Sequence, residues 1–315
     1  MTVSPEPDIS PEPALGSPVF IVTAARSGST LLRFILDSHP DLACPPESDI
    51  GIACASLARS WSVIGKATAG RGGRAEPAGL TDEALAALRE AADALLGSYL
   101  EGTGKRRVCD KSLSTVYFAG LLAQVYPEAR FICLYRHCMD VIASYIAAMP
   151  WGLGGIAGEP TFLPMHGHVS RNPGDSVAAV AEYWLDCARR SAEFESSHPG
   201  RCYRLRYEDL VADPEETAAA VLAFLGLAPA PGITRACFRV PHDRGPSDPK
   251  IWATSRVQSD SVGTGAVVPA ARLPAAARPA INDMLAALGY RVVTDGWNTG
   301  GRRDPREEPG RRIPA

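Results

Sequence analysis

A short polar turn between an apolar run and a helix-like segment is the first place where this sequence suggests chemistry. The turn contains Arg26, Ser27, Gly28, Ser29 and Thr30, and it follows the apolar run VFIVTA. Backbone N–H groups at a helix start, together with the helix dipole, bind anions, and a glycine lets the backbone approach a ligand closely. The pattern therefore predicts a phosphate site. Because GxxxxGK[ST] is absent, the turn is not a Walker A loop.

A second group of polar residues recurs at intervals of four in the segment RHCMDVIAS. Arg136, Asp140 and Ser144 share one helix face if a helix starts just after Arg136. Arg136 and Ser144 would then hold one phosphate, through a guanidinium fork and a hydroxyl, while Asp140 favours the helix start. An ordinary ion pair at a helix start explains the same spacing equally well.

The elements that must position these residues alternate between strands and helices. We expect an α/β fold with a central parallel sheet flanked by helices, because such alternation is typical of βα units. The run FICLYR is expected to be a central strand that delivers Arg136 to the ligand-binding edge. The segments 61–79 and 149–174 are predicted to be long loops. Strands are predicted at 18–24, 106–110, 130–136 and 201–206, and helices at 29–38, 81–100, 114–125, 138–148, 175–196 and 214–226.

Composition limits the classes of partner. The 315 residues carry a formal net charge of −3, which argues against a nucleic-acid partner. Eight scattered cysteines without a CxxC pair indicate reduced core residues rather than zinc ligands or disulfides. We expect one domain at 18–296 between disordered tails at 1–17 and 297–315.

Membrane and targeting signals are the next class to consider. No run of about 18 apolar residues occurs, so we expect no membrane span. The first residues, MTVSPEPDISPEPALGSP, lack the features of a signal peptide, and a cytoplasmic protein is expected. The abundance of Ala, Gly, Pro and Arg suggests a bacterial source.

Three segments together resemble sulfotransferases that use 3′-phosphoadenosine 5′-phosphosulfate (PAPS). They are RSGSTLL, RHCMDVIAS and YRLRYEDLVADPEETAAAVLAFLGL, in the order that this family uses. The resemblance covers about 18–290 and implies a P-loop-like three-layer fold and PAPS as co-substrate. It is nearest to the tyrosylprotein sulfotransferase branch and to bacterial relatives that act on small molecules.

The resemblance also implies catalytic residues. LDSHPDLACPPE places Glu47 where that branch has its catalytic base, 21 residues after Arg26. A carboxylate close to the donor can accept the proton that the acceptor hydroxyl loses. Lys111, in VCDKSLS, matches a lysine that contacts the transferring group, and Arg26 and Lys111 would stabilise its charge. The alternative is that Glu47 is a loop carboxylate.

Other positions give weaker signals. The segment 250–269 resembles the region that closes over the cofactor, but GTG at 263–265 lacks the usual arginine, so Ser255 and Arg256 are the candidates there. His166 and His168, two residues apart on a predicted extended loop, would point to one side, although solvated histidines are the simpler interpretation. The sequence offers no convincing metal-ligand cluster, and none is required.

The resulting hypothesis is a sulfotransferase that moves a sulfuryl group from PAPS to a small-molecule alcohol or phenol, in secondary metabolism. Two alternatives remain. A P-loop kinase of a small molecule shares the sheet and loop order, but Ser29 stands where it needs a lysine. A noncatalytic nucleotide-binding protein would keep the pocket without the chemistry.

Overall fold

The computed structural model describes residues 17–69, 80–149, 163–245 and 248–297. Five parallel strands form one sheet in the order β2-β3-β1-β4-β5. The strands are β1 (Val19–Thr23), β2 (Leu42–Ala43), β3 (Arg107–Asp110), β4 (Arg130–Tyr135) and β5 (Cys202–Arg206). In a parallel sheet all carboxyl ends lie at one edge, so the residues that follow β1, β3 and β4 are brought together there.

Helices cover both faces of the sheet. Side chains of β1 alternate between two apolar clusters: Phe20 and Val22 belong to one, Val19 and Ile21 to the other. The predicted three-layer α/β fold is therefore confirmed. The helices are α1 (Ser29–Asp37), α2 (Ile50–Ala69), α3 (Asp82–Glu101), α4 (Thr115–Val125), α5 (Cys138–Ala148), α6 (Leu163–Arg171), α7 (Ser176–Ser197), α8 (Tyr207–Ala212), α9 (Pro214–Phe224), α10 (Ile233–Ala236) and α11 (Arg278–Ala287).

The four predicted strands and six predicted helices are all present, with ends displaced by at most two residues. The prediction of loops at 61–79 and 149–174 is wrong in part. Residues 61–69 continue α2, because a single glycine such as Gly65 costs only about 1 kcal/mol within a helix. Residues 163–171 form α6. The remaining parts, 70–79 and 150–162, lie outside the described residues.

The last described segment, 248–297, returns across the ligand-binding edge of the sheet. It contains short 3₁₀ turns at Pro249–Ala253, Thr264–Val267 and Ala270–Arg272 before α11. Trp297, the first residue of the predicted C-terminal tail, is buried and donates from Nε1 to the carbonyl of Gly265 at 3.2 Å. Packing against the body of the fold thus continues to the last described residue.

Candidate active site

The turn predicted to bind phosphate joins β1 to α1 at the ligand-binding edge. Gly28 has φ 91°, and a Cβ atom there would lie 2.2 Å from Cδ2 of Tyr207. Only glycine fits this close approach and this left-handed backbone. Arg26 is also left-handed, at φ 65°, so the turn bends sharply before α1 begins at Ser29. The N–H groups of the first helical turn have no intrahelical acceptor, as an anion site requires.

A cavity of about 630 Å³ opens beside this turn. Its sheet wall consists mainly of residues that follow strands and of residues of α1 and α5, and its C-terminal wall consists of the lining residues between 248 and 264. Ser27 is buried outside the lining, and Ser255 is exposed and does not line the cavity, whereas its neighbour Arg256 does. The predicted site residues that line the cavity are Arg26, Gly28, Ser29, Thr30, Glu47, Lys111, Arg136, Ser144 and Arg256.

Glu47 and Lys111 form a buried ion pair in the sheet wall. Lys111 donates from Nζ to Oε1 of Glu47. The side chain of Lys111 is 1% exposed and that of Glu47 is 5% exposed. Oε2 of Glu47 is buried without a hydrogen-bond partner in the part of the chain that the structure describes. Burial raises the pKa of Glu47; Lys111 opposes this shift, and Asp49 and Asp110 add to it. Glu47 thus has one oxygen held by a cation and one free to accept a proton.

A polar network fixes the two segments that carry this ion pair. Asp110, at the end of β3, accepts from Ser48 Oγ at 2.5 Å and from the Ser112 amide at 3.1 Å. Ser112 Oγ accepts from the Asp49 amide at 2.8 Å, and Ser114 Oγ donates to Asp49 Oδ1 at 2.6 Å. These residues join the Glu47 segment to the Lys111 segment. No local sequence pattern indicates this role, because the partners lie about 63 residues apart along the chain.

Arg26 is held at three points. Its Nε donates to Ser144 Oγ at 3.1 Å, and its Nη2 donates to Asp248 Oδ2 at 2.9 Å. Its carbonyl accepts from Arg136 Nη1 at 2.8 Å. The turn after β1 and the start of α5 are therefore linked directly. Asp248, which sequence reasoning missed, belongs to the C-terminal wall.

Arg136 leaves β4 at the predicted edge and enters the cavity lining. It is 4% exposed, its guanidinium lies 4.6 Å from the ring centre of Tyr207, and Nη2 donates to the Ser261 carbonyl at 2.7 Å. Its Nε is buried with no hydrogen-bond partner within the described ranges. Ser261 Oγ lies 2.6 Å from the Tyr207 hydroxyl. Ser261 is thus tied to this arginine through its backbone carbonyl and to Tyr207 through its hydroxyl.

Asp140 makes contacts beyond its predicted role. It lies in the first turn of α5, as predicted, and the side chain that caps this helix is His137, which accepts from the Met139 amide. Asp140 also accepts from the amides of Gly263 and Gly265 at 2.8 and 2.6 Å. A Cβ atom at Gly265 would lie 2.4 Å from Met139, so a larger residue does not fit. The segment 263–265, which lacks the arginine expected from the resemblance, therefore attaches the C-terminal wall to α5.

The predicted extended loop around His166 and His168 is also wrong, because both residues lie in α6. Residues two apart on a helix point to different sides. His168 is buried, accepts from Arg171 at 2.8 Å, and lies 3.8 Å from carboxylates of Glu182 and Asp186. Burial lowers its pKa, and Arg171 adds to that shift. The interpretation as a solvated histidine therefore fails for His168.

The described residues also bear on metal binding and on membrane insertion. Across residues 17–69, 80–149, 163–245 and 248–297, no group of three or more His, Cys, Asp or Glu side chains is arranged to hold a metal ion. No helix in these ranges is long and apolar enough to cross a bilayer. All eight cysteines are free, and seven of them are buried, as predicted for core residues.

Comparison with known proteins identifies the class to which this fold and site belong. A family model described as the sulfotransferase family matches residues 18–231. The chain therefore belongs to the sulfotransferase family. The match includes the phosphate-site turn, the Glu47–Lys111 ion pair and the start of α5.

Two curated relatives show the range of this family. Nodulation protein NoeE of Sinorhizobium fredii is 30% identical over 239 residues, which cover 71% of this chain and 52% of the relative. Protein-tyrosine sulfotransferase 2 of Gallus gallus is 27% identical over 216 residues, which cover 67% and 51%. The chain thus spans about half the length of these relatives.

Solved structures agree on the fold. The sulfotransferase domain from the curacin biosynthetic pathway has a TM-score of 0.60 and 19% identity, covering 89% of this chain and all of that domain. The sulfotransferase domain of the Synechococcus PCC 7002 olefin synthase has a TM-score of 0.58 and 20% identity, covering 90% and 98%. At such identities the likeness establishes the fold alone.

Proposed function

We propose that this protein transfers a sulfuryl group from PAPS to the hydroxyl of a small-molecule alcohol or phenol. The acceptor oxygen forms a bond to sulfur while the bond from sulfur to the 5′-phosphate oxygen breaks. The acceptor proton passes to Glu47, and the products are a sulfate ester and 3′-phosphoadenosine 5′-phosphate (PAP). Membership of the sulfotransferase family supports the reaction class.

The observation that carries this proposal is the state of the Glu47 carboxylate. Oε2 is buried and unpartnered in the described structure, in a side chain that lines the cavity. A buried carboxylate whose pKa is raised is a better base for an alcohol proton than a solvated one. Lys111 on Oε1 keeps Glu47 in place and supplies a positive charge beside the reacting atoms.

The donor fits the cationic part of the sheet wall. Three features favour a nucleotide with several phosphates: the turn at Gly28, the guanidinium of Arg26, and Arg136, whose Nε has no partner among the described residues. A helix start and arginine forks bind such oxyanions through paired hydrogen bonds. In this proposal Arg26 and Lys111 stabilise the sulfuryl group in transfer. Arg136 and Ser144 hold the 3′-phosphate. For this, the hydrogen bond from Arg26 Nε to Ser144 Oγ breaks when the donor binds, and Ser144 then contacts the phosphate.

The acceptor fits a more apolar part of the same cavity. Leu113, Tyr145, Ala148 and Met149 line it together with Glu47. Apolar walls with a few placed polar groups favour a small ring or chain that carries one hydroxyl. The relatives named as protein-tyrosine sulfotransferases indicate the competing possibility of a peptide acceptor. A kinase is not favoured, because Ser29 occupies the lysine position of a Walker A loop.

The test measures nucleotide binding first and transfer second. Isothermal calorimetry with PAP should give micromolar binding by the wild type, and Arg136→Ala should weaken it at least about tenfold, since each charge-assisted bond is worth about 1.5–3 kcal/mol. Arg189→Ala, which removes the same charge from the exposed side of α7, is the matched control. No PAP binding by the wild type would refute the proposal.

The acceptor class is tested with radiolabelled PAPS. Phenol, 2-naphthol and hexanol serve as small-molecule probes, and an acidic tyrosine-containing peptide serves as the alternative. We expect label transfer to at least one of the three small molecules and none to the peptide. Transfer to the peptide alone would retain the sulfotransferase activity and overturn the acceptor assignment.

A further inference from the structure

A carboxylate lies among the cations of the cavity. Asp248 and Arg26 both line it, and Nη2 of Arg26 lies 2.9 Å from Oδ2 of Asp248, with side chains 33% and 16% exposed. A negative charge in a cavity for a polyanionic nucleotide raises the free energy of the bound state, since like charges repel. The position of Asp248 therefore calls for a functional explanation.

Asp248 is fixed in front of the phosphate-site turn by three bonds. Its amide donates to Thr30 Oγ1 at 3.2 Å, its Oδ1 accepts from the Lys250 amide at 3.1 Å, and its Oδ2 accepts from Nη2 of Arg26. The first bond joins the start of the C-terminal wall to the turn itself. The carboxylate is thus held on Arg26 by the backbone around it.

The guanidinium of Arg26 is largely occupied in this arrangement. Nε is used by Ser144 and Nη2 by Asp248. A phosphate or sulfate group binds arginine best through two parallel N–H bonds, so an incoming oxyanion competes with the carboxylate for Nη2. Asp248 already offers an anionic oxygen to Nη2, as an oxyanion ligand would.

We propose that Asp248 is an internal anion that the 5′ group of the donor displaces from Arg26, so that Asp248 sets donor affinity. This inference rests on the proposed function. On binding, the 5′ group of the donor takes the place of the Asp248 carboxylate at Arg26. Only a ligand with further contacts to the cavity, such as those of its 3′-phosphate, can displace the carboxylate. Inorganic sulfate, which lacks those contacts, leaves the Arg26–Asp248 pair intact.

The test substitutes the charge and keeps the shape. Asp248→Asn should bind PAP about fivefold more tightly at low ionic strength, in line with about 1 kcal/mol for a partly exposed ion pair. High salt should shrink the gain. Asp283→Asn is the matched control, because Asp283 is an exposed carboxylate of α11 outside the cavity lining; its removal should change the PAP dissociation constant less than about twofold.

A double-mutant cycle separates exchange at Arg26 from a general change of charge. In an Arg26→Ala background, adding Asp248→Asn should give a clearly smaller gain in PAP affinity than it gives in the wild type, since like-charge repulsion remains but there is no ion pair to break. An equal gain in both backgrounds would overturn the proposal, and so would unchanged or weaker PAP binding by Asp248→Asn alone. These outcomes presuppose PAP binding by the wild type, whereas its absence would refute the proposed function instead.

Discussion

The two walls of the cavity are built in different ways. The sheet wall consists mainly of residues that follow β1, β2, β3 and β4 and of residues of α5, and its charged side chains are mostly buried. The C-terminal wall consists of 3₁₀ turns and irregular chain, held by a few bonds to the sheet wall. We therefore propose that the two walls have different roles. The sheet wall carries the chemistry, and the C-terminal wall closes over the ligand.

The largest expected effect tests the chemistry of the sheet wall. Glu47→Gln removes the proton-accepting charge while keeping the shape, so turnover should fall at least about 100-fold, the usual range for a general base. PAP affinity should not weaken, because the substitution removes a negative charge from an anion site. Turnover with radiolabelled PAPS and calorimetry with PAP measure the two effects separately. Weaker PAP binding with normal turnover at saturating PAPS would reverse the assignment.

The pH profile gives a second readout of the same group. Glu47 accepts a proton only as carboxylate, so wild-type turnover should fall as the pH falls through its pKa. Because burial raises that pKa, this acid limb should lie above pH 4.5. Glu47→Gln should lack the limb in its residual activity. A wild-type profile that is flat down to pH 4.5 would contradict the role of Glu47 as the base.

The same contrast shows which parts of the site the sequence predicts. Arg26, Lys111 and Arg136 were predictable because each follows a strand-like run, and strand ends of a parallel sheet meet at one edge. Family resemblance placed Glu47. The pairing of Glu47 with Lys111 was not predictable, because it joins residues 64 apart in the sequence. The bond from Gly263 to Asp140 spans 123 residues.

The C-terminal wall was harder to predict, for a physical reason. Its 3₁₀ turns have no hydrophobic period, and tertiary bonds fix their positions. Ser255, the predicted serine of this segment, does not line the cavity, whereas Ser261 and Asp248, which line it, were not singled out. The helical state of 163–171 was missed for a similar reason, because the burial of His168 depends on α7. Local pattern carries little information about such contacts.

The next prediction concerns the stability of the sheet wall. Lys111→Met leaves the Glu47 carboxylate buried without its cation, so the free energy of unfolding should fall by about 3 kcal/mol. Glu47→Gln combined with Lys111→Met should recover much of this loss, because no unpaired buried charge remains, yet it should stay inactive. Urea denaturation measures both variants. Arg190→Met, which breaks a partly exposed pair with Asp186, is the control and should cost less than about 1 kcal/mol.

The smallest expected effect tests closure by the C-terminal wall. Asp140 is fully buried and does not line the cavity, but its two oxygens hold the amides of Gly263 and Gly265. Asp140→Asn offers only one accepting oxygen, so one buried amide loses its partner at a cost of about 1–3 kcal/mol. The segment should loosen, and PAP affinity should fall about tenfold, which corresponds to about 1.4 kcal/mol. Calorimetry measures this loss.

Turnover decides what the loss of affinity means. Once PAPS is saturating, Asp140→Asn should turn over at nearly the wild-type rate, because Asp140 bonds the C-terminal wall, whereas Glu47 and Lys111 bond each other. Asp283→Asn, which removes one charge from the exposed side of α11, controls for net charge and should leave PAP binding unchanged. If Asp140→Asn instead lowered turnover at saturating PAPS with normal PAP affinity, the C-terminal wall would take part in the chemistry, and the division between the two walls would be wrong.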